Sequence, residues 1–312
     1  MTKLIPVKYR KIDYPDKITA NIYEVAGNFD RENIDVSTPY SLHTEYSFEE
    51  REFNTNIIKD LTYIKEAQKN KIPQLWFNKN WTKEFFIFID RLIDVNEAPE
   101  VLEIHPPYNE YCSSFEQFFE IFKVFYEEFK RKEKYKFTKI VIENRFGTKN
   151  NSGKFLLSTC DDVLKFCELL NKSDIDLKII LDYPQLFSVV YSTNKEKQKE
   201  LKKKGIMIDE EILEKIILFN QDLKKYRKII GGIHMWGKRI NKKGEWSPHF
   251  GNFNTLFSKN NYLKKKFLES VKDTFNDDIP RYFVPEVNGR NDLHSIVNDM
   301  IEEGFIFESN VL

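Results

Sequence analysis

Cysteine is scarce in this sequence, and long apolar runs are absent. The 312 residues include three cysteines, Cys112, Cys160 and Cys167, which show neither CxxC spacing nor the even number of a disulfide framework. That usage is typical of a reducing compartment, and we expect a cytoplasmic protein. No window reaches eighteen apolar residues, and the first fifteen residues lack the apolar core of a signal peptide. We therefore expect neither a membrane span nor a secretory leader.

Charge of one sign does not dominate the chain either. Lys+Arg and Asp+Glu number 49 each, so the formal net charge is zero. This balance excludes an overall polycation that would recruit nucleic acid, although it leaves a local basic face open. Aromatic residues make up 15% of the chain, which is enough to build a sizeable core.

Glycine-rich nucleotide-binding loops and flexible linkers are also missing. No GxGxxG or Walker sequence follows an apolar run, which weakens the case for a doubly wound nucleotide-binding fold. No stretch rich in Pro, Gly and Ser divides the chain, and no internal repeat is evident. We expect a single domain over residues 1–312.

Apolar runs alternate with amphipathic stretches from residue 95 to residue 304. The run "EVLEIHPP" (100–107) precedes a helical pattern at 114–132, and "FTKIVIENR" (137–145) precedes another at 158–172. Three further units follow. Repeated strand–helix units favour a doubly wound sheet or a barrel of parallel strands. Without a glycine-rich loop, the pattern predicts an α/β protein with the (β/α)8 TIM barrel fold.

The first 95 residues are less regular. Three candidate strands lie within residues 1–47, and helices are predicted at 48–70 and 81–94. The segment "IPQLWF" between these helices reads as a strand or a packed turn. The lysine-rich stretches at 194–205 and 222–228 predict a solvated helix face, with a phosphate-contacting face as the alternative.

Predicted strands end repeatedly in side chains that bind metals. The six residues are His43, His105, Glu143, Asp182, His234 and Glu286. In a barrel the carboxyl ends of the strands face one another, so these side chains should converge. Carboxylates crowded at a dry site repel one another, and a divalent cation removes that conflict. Mixed histidine and carboxylate ligands suit Zn²⁺, Mn²⁺ or Fe²⁺ better than Mg²⁺ or Ca²⁺. His294 lies inside the last predicted helix and is not an expected ligand.

The motifs at these positions resemble, in order, those of the xylose-isomerase-like barrels. They include "HPP" after a strand, "VIENRFG", "LDYPQ", "IHMWGK", "PHFGNF" and "PEVNG", spread over residues 39–304. More specifically they resemble the endonuclease IV branch (apurinic endonuclease family 2). The resemblance implies two metal ions, with Zn or Mn favoured and Fe as an option, that share Glu143. It places His43 and His105 on the first ion, and Asp182, His234 and Glu286 on the second.

A third metal site of that branch is incomplete in this sequence. His249 matches a histidine that holds the third ion there. This chain has Ser247 and Gln185 where the branch has an Asp and a His ligand. Serine and glutamine are poor metal ligands, so we do not expect a full third site.

The resemblance implies hydrolysis of a phosphodiester bond by a metal-activated water. Glu143 would bridge the metals, and Glu286 would also accept the proton of the water. The substrate would be nucleic acid or a small phosphorylated or sugar compound. Residues in the same loops would contact the substrate. Arg145 and Lys238 would bind a phosphate group. The rings of Trp236, Tyr183 and Tyr108 would stack on a base or a sugar, or would line the walls of a pocket.

A sugar isomerase or epimerase with a single metal is the main alternative. Glu143, Asp182, His234 and Glu286 alone would meet its pattern, and the two glutamates would exchange a proton at carbon. His43 and His105 are superfluous in that reaction but needed by a dinuclear hydrolase, which favours the hydrolase. A multinuclear-iron oxygenase that modifies peptides, and a barrel that binds metals or partners without catalysis, remain open.

Overall fold

A computed structural model describes residues 1–36, 39–53, 55–147, 154–241 and 246–308. Within them the strands are β1 (Lys3–Lys8), β2 (Ile22–Gly27), β3 (Tyr40–Thr44), β4 (Gln68–Lys69), β5 (Ile72–Pro73), β6 (Val101–Ile104), β7 (Lys139–Glu143), β8 (Leu177–Asp182), β9 (Ile230–His234), β10 (Lys238–Ile240), β11 (Trp246–Pro248), β12 (Arg281–Val284) and β13 (Ile306–Phe307). The helices are α1 (Thr62–Glu66), α2 (Lys79–Ile93), α3 (Phe115–Arg131), α4 (Cys160–Asn171), α5 (Tyr183–Thr193), α6 (Lys195–Lys204), α7 (Glu210–Leu223), α8 (Phe253–Leu256), α9 (Asn261–Thr274) and α10 (Arg290–Glu302). No helix in these described ranges has both the length and the apolarity needed to cross a membrane.

Parallel strands form a closed barrel. The main sheet runs in the order β12-β9-β8-β7-β6-β3-β2-β1, and a further pairing of β12 with β1 closes it. Strand β13 adds beside β1, while β4–β5 and β10–β11 form separate two-stranded hairpins. The expected (β/α)8 TIM barrel is therefore confirmed.

Contacts within the chain define two compact units. We call Met1–Ile22, Thr159–Leu164 and Ile180–Leu312 the first unit, and Tyr23–Ser158 with Lys165–Ile179 the second unit. Each has its own aromatic core. In the second unit α3 buries Phe118, Phe122 and Phe125, whose rings contact Trp76. This spacing of three and four residues places the rings on one face of the helix. In the first unit Phe267 is central in the way that Trp76 is in the second, and its ring contacts those of Tyr183 and of Phe253 in α8.

Two strands of the second unit, β3 and β6, carry polar side chains among apolar ones. In β6 the apolar Leu102 and Ile104 flank Glu103, and in β3 Leu42 precedes His43. Successive side chains of a strand point to opposite faces, and His43 is in register with Glu103. The histidine and the glutamate therefore lie on the same face of the sheet, opposite the apolar residues.

The helix predicted at 48–70 is wrong. That segment contains a 3-10 turn at Asn56–Ile58, the five residues of α1, and β4. Its polar residues make contacts that a continuous helix would prevent: Thr55 Oγ1 donates to the carbonyl of Phe29, and the Arg51 side chain turns inward to Glu45. The segment "IPQLWF" supplies β5 and then a turn in which Trp76 adopts a positive φ of 60°.

Helix α5 was not predicted, although the sequence carries its start signal. Asp182 caps the helix because Oδ1 accepts a hydrogen bond from the backbone N–H of Gln185 at 2.8 Å. Pro184 lies in the first turn, where its missing N–H costs no intrahelical bond. The predicted helical region at 194–228 is present as α6, α7 and a 3-10 segment at Lys224–Ile229.

Candidate metal centres

Two buried histidines of the second unit face each other through their Nε2 atoms. The Nε2 atoms of His43 and His105 lie 2.9 Å apart. The opposite ring nitrogens face acceptors: His105 Nδ1 is 2.9 Å from the carbonyl oxygen of Glu45, and His43 Nδ1 is 3.3 Å from a carboxylate oxygen of Glu24. Because carbonyl and carboxylate oxygens only accept, each Nδ1 carries the proton and each Nε2 presents a lone pair. Two neutral rings in this arrangement would set lone pair against lone pair, so a proton or a metal ion must lie between the two Nε2 atoms.

Two carboxylates complete this group, which we call the second-unit centre. Glu143 Oε2 lies 3.1 Å from His105 Nε2, and Glu103 Oε1 lies 3.4 Å from His43 Nε2. Ligand atoms of all four residues lie within 4.8 Å of one another, and both glutamate side chains are fully buried. Tetrahedral ligands with bonds of about 2.0–2.1 Å are roughly 3.3 Å apart, so the donor set fits a divalent metal ion.

The two histidines have opposite pKa shifts. Burial favours the neutral ring of His43, but the nearby carboxylates of Glu103 and Glu24 outweigh it and raise the pKa to about 9. Burial lowers the pKa of His105 to about 3, and its contact with Glu143 only partly opposes this effect. With no metal ion bound, the pair therefore carries one proton beyond those on the two Nδ1 atoms, and a metal ion that binds both Nε2 atoms would replace it.

A layer of hydrogen bonds fixes the position of His105. The backbone carbonyl of His105 accepts a hydrogen bond from Trp76 Nε1 at 2.6 Å. The backbone carbonyl of Glu45 accepts one from Nδ1 of the His105 ring. Glu45 is itself held by the backbone N–H of Phe29 at 2.8 Å and by Arg51 Nε at 3.0 Å. Burial raises the pKa of Glu45 to about 7, against the lowering effect of Arg51. Contacts of this kind orient histidine ligands and fix their tautomers.

Arg145 lies beside the Glu143 oxygen that contacts His105. Its Nη1 donates to Glu143 Oε2 at 2.9 Å. The guanidinium group lies 5.0 Å from the ring centre of Tyr46 and 4.8 Å from that of Phe48, close enough for cation–π attraction. Arg145 is therefore a buried cation at the centre rather than a solvent-exposed one. Tyr108, another expected substrate contact, is buried with its ring 4.6 Å from that of Phe155.

Three expected ligands converge in the first unit, and we call them the first-unit centre. Ligand atoms of Asp182, His234 and Glu286 lie within 4.8 Å of one another. His234 Nδ1 is 3.6 Å from Glu286 Oε1. Asp182 and His234 are the last residues of β8 and β9, and Glu286 follows β12 by two residues. The set of one imidazole and two carboxylates suits the same class of divalent metals.

His249 packs beside the first-unit centre. Its Nδ1 lies 2.9 Å from the backbone carbonyl oxygen of Glu286, and its ring centre lies 4.5 Å from that of Trp236. Trp236 Nε1 in turn donates to Asp182 Oδ2 at 2.8 Å. His249 Nδ1 also lies 3.7 Å from Glu286 Oε2, but among the described residues His249 belongs to no group of three or more whose ligand atoms converge within 4.8 Å. Its role as a third-metal ligand stays a prediction, as does the loss of that site through Ser247 and Gln185.

The remaining expected substrate contacts lie in different surroundings. Lys238 Nζ donates to Ser188 Oγ and lies 5.2 Å from the ring centre of Trp236, and burial lowers the pKa of the amine to about 8. Tyr183 is fully buried, and its hydroxyl donates to Asn220 Oδ1 at 2.8 Å in the helix layer. That placement favours a packing role for Tyr183 over substrate contact. His294 is partly exposed on α10, where its Nε2 lies 3.2 Å from the carbonyl oxygen of Asp13.

Sequence reasoning missed Glu24 and Glu103. The predicted ligands all lie at or after the ends of the predicted strands, whereas Glu103 is the third of four residues in β6 and Glu24 is the third of six in β2. The available signal was a carboxylate inside an otherwise apolar run, two residues before His105 and thus on the same face of the strand.

Comparison with known proteins gives only distant similarities. No protein-family model and no curated protein sequence matches the chain. The solved structure of AsfvAP:AG is 10% identical, with a TM-score of 0.44 over 85% of this chain and 72% of that one. A D-tagatose 3-epimerase-like protein is 14% identical, with a TM-score of 0.42 over 92% and 90%. The 3-keto-D-glucoside 4-epimerase YcjR from E. coli is 9% identical, with a TM-score of 0.35 over 72% and 70%.

Proposed function

We propose that this protein is an enzyme, a metal-dependent hydrolase of phosphodiester bonds similar in chemistry to endonuclease IV. The observation that supports it is the buried pair of His43 and His105, with Nε2 atoms 2.9 Å apart beside Glu143. An isomerase that relies on one metal has no need for this pair. A hydrolase that positions both an attacking water and a phosphate uses additional ligands of this kind.

The residues of the chain divide the work of such a reaction. When bound, divalent metal ions polarise a phosphoryl oxygen and acidify water. His43 and His105 would hold an ion through Nε2, because their Nδ1 atoms face the carboxylate of Glu24 and the carbonyl of Glu45. Glu286 would accept the proton of the attacking water, and Arg145 would pair with a phosphate oxygen through its planar guanidinium. The sharing of Glu143 between two ions stays a prediction.

The substrate is nucleic acid or a small phosphorylated compound. Arg145 and Lys238 are the cations placed beside the two centres, and Trp236 offers a ring beside Lys238. Trp236 is buried and its Nε1 donates to Asp182, so stacking of its ring on a base or a sugar stays a prediction.

Cleavage of a duplex with one abasic site tests the proposal. We expect cleavage with Mn²⁺ or Zn²⁺, its loss with a strong chelator, and a fall in kcat/KM of about 100-fold in His105→Ala. His294→Ala is the matched control, because this histidine lies apart from both centres on α10. Full cleavage by His105→Ala would overturn the proposal.

A sugar isomerase or epimerase is the second candidate. The convergence of Asp182, His234 and Glu286 supports it, since a single ion held by such residues polarises a carbonyl or hydroxyl group. Isomerisation of a ketose with one equivalent of metal, unchanged in His105→Ala and lost in His234→Ala, would decide for this reaction.

A further inference from the structure

The second-unit centre contains one more carboxylate than the sequence motifs account for. We infer that Glu103 is a fourth protein ligand of this centre, and that it shifts the metal preference toward Mn²⁺ or Fe²⁺ and away from Zn²⁺. The inference rests on the proposed metal centre and assigns a further ligand within it.

Strand register places Glu103 among the ligands. Glu103 pairs with His43 across β6 and β3, and His105 follows Glu103 by two residues. Ile104 pairs with Ile142, so the residues after them, His105 and Glu143, leave the sheet side by side. The four side chains therefore occupy two adjacent levels on one face of the sheet.

The carboxylate of Glu103 faces the metal-binding nitrogen of His43. Its Oε1 is 3.4 Å from His43 Nε2, whereas Glu24 is 3.3 Å from Nδ1. A carboxylate that only orients a histidine ligand contacts the nitrogen away from the metal, and Glu24 has that position. Glu103 lies on the opposite side, among the ligand atoms.

Charge balance in the second unit supports the same assignment. Glu24, Glu103 and Glu143 bring three negative charges around His43 and His105, and Arg145 brings one positive charge. The excess of two negative charges equals the charge of one divalent ion. Without Glu24 and Glu103 the group would already be neutral, and the buried arginine would compete with a metal for Glu143.

The number of ligands bears on the choice of metal. Two imidazoles and two carboxylates saturate a tetrahedral Zn²⁺ ion and leave it no position for water. Manganese and iron accept five or six ligands and prefer oxygen donors more strongly, so they retain open positions here. Loss of the Glu103 carboxylate should therefore weaken Mn²⁺ binding more than Zn²⁺ binding.

Metal titration of the full chain tests this inference. The apo protein, Glu103→Gln and the control Glu120→Gln, which changes an exposed glutamate on α3, are titrated separately with Mn²⁺ and Zn²⁺ by calorimetry. We expect Glu103→Gln to weaken Mn²⁺ binding by about 100-fold and Zn²⁺ binding by about tenfold or less, with the control within twofold. Equal affinities in Glu103→Gln and the unsubstituted protein would overturn the inference.

Crystals of the Mn²⁺-soaked protein give an independent measurement should Glu103→Gln fail to fold. An anomalous peak within about 2.6 Å of a Glu103 oxygen supports the assignment, and a peak bound to His43, His105 and Glu143 but remote from Glu103 contradicts it. If neither ion binds His43 and His105, the proposed function fails together with the inference.

Discussion

Each ring nitrogen of His43 and His105 has a defined contact. The Nδ1 atoms donate to Glu24 and to the carbonyl of Glu45, and the Nε2 atoms face each other. Since a neutral imidazole carries one proton, these partners determine which nitrogen remains available for a metal. The second-unit centre thus depends on Glu24 and on the carbonyl of Glu45 as well as on its own four residues.

Replacing Glu24 tests this dependence. Glu24→Ala removes the acceptor of His43 Nδ1, so the proton can move to Nε2 and block the ligand position. We expect metal affinity of the second-unit centre to fall by about 10- to 100-fold, measured by calorimetry with Mn²⁺. Glu120→Ala on α3 is the control. Unchanged affinity in Glu24→Ala would show that the tautomer is set in another way.

Burial of Lys238 should make stability depend on pH. The folded protein depresses the pKa of this amine from 10.5 to about 8, so holding it charged in the folded state costs free energy. The full cost applies below about pH 8, where Lys238 is protonated in both states. It shrinks between about pH 8 and 10.5, because there the folded state has released the Lys238 proton and the unfolded chain has not. We expect Lys238→Met to raise the melting temperature at pH 7, and we expect a smaller increase in melting temperature at pH 10. A gain that grows with pH would contradict this account.

The site residues fall into a group that the sequence reveals and a group that it does not. His43, His105, Glu143, Asp182, His234 and Glu286 could be predicted because polar residues at the carboxyl ends of parallel strands converge. Glu24 and Glu103 lie inside strands, where the direction of the side chain follows from register. Tyr183 adjoins a strand end but starts α5, and the helix directs its ring toward Phe267.

At the scale of elements, the loop that follows β9 is held by a close backbone approach. A Cβ atom at Gly237 would lie 2.3 Å from the backbone nitrogen of Asn252, in the segment that carries His249. His249 itself has a φ of 60°, and Nδ1 contacts the carbonyl of Glu286. Only glycine permits this approach, which seats His249 against the first-unit centre.

Gly237→Ala should therefore displace this segment. We expect a loss of about 1–3 kcal/mol in the free energy of unfolding, measured by urea denaturation, because the added methyl group meets backbone atoms. Gly147→Ala is the control, since its Cβ would meet the flexible Lys154 side chain at 3.3 Å and the Lys154 backbone Cα only at 3.7 Å, an ordinary contact distance. Equal stability of the two variants would contradict this reading of the loop.

Local sequence signals explain which elements could be predicted. The apolar runs of β6 and β7 and the Ser114 cap of α3 identify those elements directly. The stretch 48–70 has a helical pattern, but the contacts of Arg51 with Glu45 and of Thr55 with Phe29 override it. The contact of Thr55 with Phe29 joins residues 26 positions apart, so periodicity alone cannot reveal it.

At the scale of the whole molecule, zero net charge limits how strongly the protein can bind nucleic acid. Arg145 and Lys238 are the two residues proposed to contact phosphates, so we expect binding to release about two counterions from the nucleic acid. We expect the logarithm of the duplex association constant to fall with the logarithm of salt concentration at a slope of about −2. Fluorescence anisotropy over 50–200 mM salt measures it, and a slope near −8 would reveal a large basic face beyond these two residues.

Whether His43 and His105 together bind a metal ion is tested most directly by anomalous scattering from crystals of the protein as purified, which locates the metal ions. We expect an ion bonded to Nε2 of both His43 and His105 at about 2.0–2.3 Å. Ions confined to Asp182, His234 and Glu286, with His43 and His105 still in mutual contact at 2.9 Å, would contradict it.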